Sequence, residues 1–363
     1  VKRLFFRHFY AVSFLVVFLL AHTSYAGKGT YGGEITLVND EMIAAQTAGN
    51  VVNNPVSEKA RDQMAAIMRE RCKTAVPKCT VLDGKNKYGI TSYRVVYEDN
   101  WWFQIETDPS VVEIQTKGAT YEELSKLEHR IQRDIFDVGA QIGLRPSGNI
   151  GGGHIHIGMH STLDGDDNLF RNFFVDYANH SELGTGVMSF QGNGNAPTMV
   201  ELTTDQQNQF VHILKDYDDF ESKNYKMLAS RIQTEVYYAN PLRWTPPEKY
   251  QAFNVTRMVD SSVSEDERTF ELRAFPGQVD AHEFLLQIRL LDKRLERLRH
   301  EKGRLAYHPA PVNLPDDLKA ARFYRYVTDS GLSWKDYSHF VAEEYRLTAP
   351  QMGCDLALNP GSR

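Results

Sequence analysis

Hydrophobic and polar positions alternate with a period of two over several short stretches of the chain, the pattern of strands that bury one face. "YGGEITLV", "YRVVYED", "WWFQIETD", "SVVEIQT", "HIHIG", "QAFNVTRMV" and "TFELRAF" read as strands on this basis, with Asp99-Asn100 and Asp108-Pro109 as turn signals. Elsewhere the period lengthens to 3.6. "NPVSEKARDQMAAIMRERC" reads as a helix with Ser57 as its N-cap. In "ATYEELSKLEHRIQRDIFDVGAQIG", Leu124, Leu127, Ile131, Ile135 and Val138 share one helical face and Gly143 ends the run. From about Asn168 to Tyr238 the pattern is mainly helical, broken by "FQGNGNAPTM", and "DAHEFLLQIRLLDKRLERLRHEKG" is a long helix after the last strand. Strands joined by tight turns and interrupted by helices predict an α+β fold: a mainly antiparallel, curved sheet with helices on one face.

The N-terminus departs from both periods. Lys2, Arg3 and Arg7 precede an apolar run from about Phe9 to Ala21 and then Ser24-Tyr25-Ala26, the layout of a secretory signal peptide cleaved after Ala26. The expected organisation is a leader over 1–26, one domain over 27–345 and a C-terminal tail over 346–363. The expected location is the periplasm or the outside of the cell, with no stable membrane span after cleavage. Cys72 and Cys79 either close a short loop or stay unlinked, and Cys354 is left over. A formal net charge of -6 argues against a nucleic-acid partner, which would favour a basic face.

Alternation also sorts the chemistry. Glu34 lies opposite Ile35, Glu113 and Gln115 opposite Val112 and Ile114, His154 and His156 opposite Ile155 and Ile157, and Glu271 and Arg273 opposite Phe270 and Leu272. A polar strand face is ordinarily a solvated one. If these strands share a sheet, however, their carboxylates converge and repel unless a cation neutralises them. An oxygen-rich set with an imidazole suits magnesium or manganese, and the planar fork of Arg273 suits phosphate. Around this face, His160 reads as a surface histidine at a strand end, and Trp101 and Trp102 read as packing residues. "DGDDN" at 164–168 lacks the glycine of a calcium loop and reads as a solvated turn, while the "GNGN" loop at 192–195 lacks the lysine of a P-loop.

Taken together, "GGEITL", "TDPSVVEIQTKGATYEELSKL", "GGGHIHIG", "YQAFNVTR" and "TFELRAFPGQVDAHEFLLQIRLL" resemble, in that order, the amidoligase family of carboxylate-amine ligases, which shares the glutamine synthetase fold. The resemblance spans residues 30 to 300 in patches. It implies a glutamine synthetase-like catalytic domain that uses ATP and Mg2+ (or Mn2+) to activate a carboxylate as an acyl phosphate for attack by an amine. It implies Glu34, Glu113, His154 and Glu271 as metal ligands, and His156, Arg257 and Arg273 as contacts to the nucleotide. It also implies catalytic roles for Arg273, His156 and Asn254. The partners would be small-molecule or peptide carboxylates and amines. One departure is Thr36, where the family often carries a second acidic residue.

An export signal and a need for ATP pull in different directions, so two other readings stand beside the ligase. A zinc hydrolase would use His154, His156 and His160. A non-catalytic secreted binding protein would keep the fold without turnover.

Overall fold

Among the described residues, alternation builds one antiparallel sheet of nine strands with one apolar and one polar face. The computed structural model describes residues 29–48, 54–86, 88–108, 110–146, 151–163, 166–184, 196–220, 224–238, 251–309, 311 and 313–358. The expected leader and the GNGN loop lie outside the described residues. The strands are β1 (Thr30–Leu37), β2 (Cys79–Lys85), β3 (Thr91–Tyr97), β4 (Trp102–Asp108), β5 (Val111–Thr116), β6 (Ala119–Thr120), β7 (His154–Gly158), β8 (Phe253–Asn254) and β9 (Thr269–Leu272). Their spatial order is β2-β3-β4-β5-β1-β7-β9-β8, with β6 pairing the start of β1. Every neighbouring pair runs antiparallel. The protein is therefore α+β, as the alternation predicts.

One face is dry. Ile35, Phe103, Ile105, Val112, Ile114, Ile155, Ile157, Phe270 and Leu272 are all fully buried on it. Each such side chain contributes roughly 1.5–3 kcal/mol relative to exposure. The helix Pro55–Cys72 packs over β2, β4 and β5. The helix Ala281–Arg299 lies over β1, where Phe284 occupies the space that a Cβ on Gly33 would need and Asp292 accepts a hydrogen bond from the Tyr31 hydroxyl at 2.9 Å. Phe170, Phe173 and Phe174 of the helix Asp167–Asn179 meet Phe253, and the rings of Phe253 and Phe270 stack 5.3 Å apart. No helix among the described residues is long and apolar enough to cross a membrane.

Local chemistry shifts several boundaries. The helix Pro55–Cys72 is capped by Asn54, not Ser57: the Asn54 side chain accepts from Val56 N, and Pro55 takes the first helical position, where no amide proton is needed. Ser57 Oγ instead donates back to Asn54 O. The expected strand through "QAFNVTRMV" is cut to two residues. Asn254 Oδ1 accepts from Thr256 N at 2.9 Å, and the chain turns at once into the short helix Thr256–Val259 that carries Arg257. β2 is an additional strand, and a disulfide joins its first residue, Cys79, to Cys72 at the end of the helix Pro55–Cys72. The expected tail contains the helix Ala349–Leu358, which packs on the helix Asp316–Asp329.

The triple glycine before the histidine strand is a close crossing. Gly151 adopts φ +77°, and a Cβ on it would stand 2.4 Å from Thr36 Oγ1. A Cβ on Gly153 would stand 2.0 Å from Gln278 Nε2 and 2.3 Å from the backbone oxygen of Pro276. Gly153→Ala should therefore lower stability by about 1–3 kcal/mol through overpacking. Urea denaturation of the two proteins checks this, and an unchanged midpoint would contradict the close crossing.

Candidate functional site

The second face of the sheet is polar, and strand register groups its side chains into three rungs. Gly32, His156, Glu271 and Asn254 stand across from one another on β1, β7, β9 and β8. Gln104, Gln115, Glu34 and His154 form the next rung on β4, β5, β1 and β7. Glu106, Glu113 and Thr36 form the third. Side chains on neighbouring strands at such positions sit close enough to bond directly.

Glu34 is the centre of the contacts. His154 Nδ1 lies 2.7 Å from Glu34 Oε2, and His156 Nε2 lies 2.9 Å from Glu34 Oε1. His154 Nδ1 is also 3.2 Å from Glu271 Oε1, so this imidazole spans both carboxylates. The other contacts of Glu271 hold it from both sides. Arg273 donates to Oε1 at 2.6 Å and Asn254 Nδ2 donates to Oε2 at 2.7 Å. Arg273 lies just past the end of β9, tied to the sheet by its N–H donating to Ala252 O at 2.9 Å. Its side chain and that of Asn254 are buried.

Electrostatics follow from these contacts. Burial pushes the Glu34 carboxyl up, but the charges of His156 and His154 more than offset this and hold it well below the usual carboxylate range. Burial likewise opposes ionisation of Glu271, and Arg273 and then His156 bring it below its ordinary value. Burial lowers His156, while Glu34 and Glu271 raise it further than burial lowers it. Glu113 is different. Burial and the nearby charge of Glu34 push its carboxyl well above the usual range, and its neighbour Glu106 is raised by burial as well.

Glu34, His156 and Glu271 can each offer one ligand atom, all within 4.8 Å of one another. Two carboxylates and one imidazole make an oxygen-majority donor set, which fits a magnesium or manganese ion. Glu34 and His156 also line a cavity of about 570 Å³ with Trp102, Lys117, His160 and Arg257 on its walls. That size is typical of a small-molecule site.

The residues that the sequence offers as metal, nucleotide and catalytic groups all lie among the described ones. Glu34, His154, His156, Glu271, Arg273 and Asn254 form one connected cluster. Glu113 lies beside it, bonded to Gln115 Nε2 at 2.9 Å. Arg257 and His160 are exposed on the cavity wall rather than in the cluster. Among the described residues, His154, His156 and His160 are not drawn together as a three-histidine set. Thr36 donates to Gly152 O at 3.1 Å, so backbone fills the space beside it. Trp101 is buried, as expected of a packing residue, but Trp102 lines the cavity with the Arg94 guanidinium 4.2 Å above its ring. Within "DGDDN", 164 and 165 lie outside the described residues and Asp166 caps the helix Asp167–Asn179. Glu106 and Thr269 escaped sequence reasoning, although alternation along "WWFQIETD" and "TFELRAF" puts both on the polar face.

No protein-family model matches the sequence, and no curated protein matches it. Among solved structures, the chain is similar to GmaS without ligand, with a TM-score of 0.39 and 11% identity over 93% of this chain and 70% of that one. It is also similar to a novel glutamine synthase homolog, with a TM-score of 0.32 and 11% identity over 92% of this chain and 67% of that one.

In metal-free protein, Glu34→Gln and Glu113→Gln should change stability with opposite signs. The folded state lowers the pKa of Glu34, so this carboxylate contributes stability above the usual carboxylate range and loses it as pH falls through the folded value. Glu34→Gln should be less stable than wild type at about pH 7 and converge with it in acid. The folded state raises the pKa of Glu113, so the native protein holds the extra proton and stability falls as pH rises from the usual value to the raised one. Glu113→Gln should be more stable than wild type at about pH 7 and lose that gain on acidification. Urea midpoints measured across this range test both signs.

Proposed function

We propose that this protein is an ATP- and magnesium-dependent carboxylate-amine ligase, with manganese able to replace magnesium, acting after export on a small-molecule or peptide carboxylate and amine. The observation that carries the proposal is the Glu34–His156–Glu271 donor set, two of whose members line a cavity of ligand size. The motif order that resembles the amidoligase family supports it independently of that geometry.

Glu34, His156 and Glu271 would hold the divalent ion. With metal and nucleotide bound, the chemistry supplied is transfer of the terminal phosphoryl group to the substrate carboxylate, followed by amine attack on the acyl carbon and loss of phosphate. Arg273 and Asn254 fix both oxygens of Glu271, so that this carboxylate presents a set geometry to the cation. Arg273 also places positive charge beside the site, where negative charge spreads over the transferring group. Arg257 and Lys117 stand on the cavity walls, where they would meet the anionic groups of the ligands. His154 keeps Glu34 and Glu271 in register by contacting both.

Calorimetry with ATP tests this directly. Wild type should bind ATP only with magnesium present, and Glu271→Gln should weaken binding on the order of tenfold or more, because it removes a cation ligand along with the partner of Arg273 and Asn254. A folded wild type that takes up no ATP with magnesium supplied would sink the ligase. Zinc retained through purification, without nucleotide binding, would point to the hydrolase instead.

A further inference from the structure

His156 makes a second contact that the metal set does not explain. Its Nδ1 lies 3.2 Å from Thr269 Oγ1, while its Nε2 faces Glu34 at 2.9 Å. Thr269 opens β9 two residues before Glu271, so β9 places a hydroxyl on one side of the imidazole and a carboxylate on the other. On β7, Gly158 pairs with Thr269, and the nearby hydroxyls of Thr30 and Ser161 bond each other at 2.6 Å. Thr269 also lines the cavity.

A neutral imidazole has one donor nitrogen and one acceptor nitrogen, and a metal-ligating nitrogen must be the unprotonated one. In the cluster as it stands, the 2.9 Å contact between Nε2 and a carboxylate oxygen needs the proton on Nε2, and Nδ1 then donates to the Thr269 hydroxyl when the ring is charged or accepts from it when the ring is neutral. When Nε2 binds a cation, the proton must sit on Nδ1, which then donates to the same hydroxyl. A hydroxyl both donates and accepts, and it rotates to suit. Valine has threonine's shape and can do neither.

We propose that Thr269 is the positioning residue of the metal site: its hydroxyl holds the His156 ring in one orientation through both tautomers, so that Nε2 stays aimed at the cation. This rests on the ligase reading only in taking Glu34, His156 and Glu271 as the cation ligands.

The test uses the whole protein and Mn2+ alone, with free ion followed by electron paramagnetic resonance and folding by thermal melting. Thr269→Val should weaken Mn2+ binding about 10- to 100-fold, the usual cost of losing such a partner, whereas Thr269→Ser should bind like wild type. Thr269→Ala, which adds no bulk, is measured alongside and should match Thr269→Val. His156→Ala should lose binding outright. Wild-type affinity in Thr269→Ala or Thr269→Val, with binding lost in His156→Ala, would overturn the role of Thr269 and leave the metal site standing. Weak binding in Thr269→Ser equal to that of Thr269→Ala would also overturn it, since the hydroxyl would then not be what matters. Undiminished binding in His156→Ala would overturn the ligand set and Thr269's role with it.

Discussion

The carboxylate of Glu34, with one oxygen against each of two imidazoles, is the contact on which the polar face depends. Taking an ionised carboxylate out of water costs several kcal/mol unless partners replace the lost hydration. Here the partners are two histidines spaced two apart on β7, and only a strand can point both at one neighbour. Glu271 is then within reach of His154 and needs charge of its own, which Arg273 supplies, while Asn254 satisfies the remaining oxygen. Glu113 receives no such cation. It is the carboxyl that the site leaves protonated most readily, and the contrast with Glu34 arises across a single strand pair.

That arrangement requires the backbone before β7 to run very close to its surroundings. At 151 the chain presses on Thr36, and at 153 on the Gln278 amide and the carbonyl of Pro276. The Thr36 hydroxyl closes onto Gly152 O, so the third rung ends in backbone on the β7 side rather than in another acidic side chain. The local conformation of a loop and the chemistry of the strand beside it are thus two sides of one contact. A side chain at 151 or 153 would need one of these neighbours to give way.

Much of this was legible in the sequence because parity is a local property. Two-residue alternation put Glu34, Glu113, His154, His156 and Glu271 on a common kind of face before any pairing was known, and the same rule applied to "WWFQIETD" would have added Glu106. Which of these residues would touch depends on register, and register depends on partners far away in the chain. The position of Arg257 was lost to an Asx turn at Asn254, where one side-chain oxygen ends the strand. The cap at Asn54 was hidden by Ser57, an equally good capping type, until Pro55 fixed the first turn. β2 escaped because most of its positions are exposed and give little hydrophobic alternation.

Contacts made across such distances have a consequence for how the molecule comes together. Glu34 and His156 are 122 residues apart in the chain, and His156 and Thr269 a further 113. Closing loops of that length is slow, and early collapse would leave an acidic strand without its counter-charges. The cluster is complete only when the sheet is complete. Anything that binds it selects the finished topology over every partly assembled one and draws the population toward it by mass action. The most polar part of the molecule thereby becomes a latch that a ligand can close from outside.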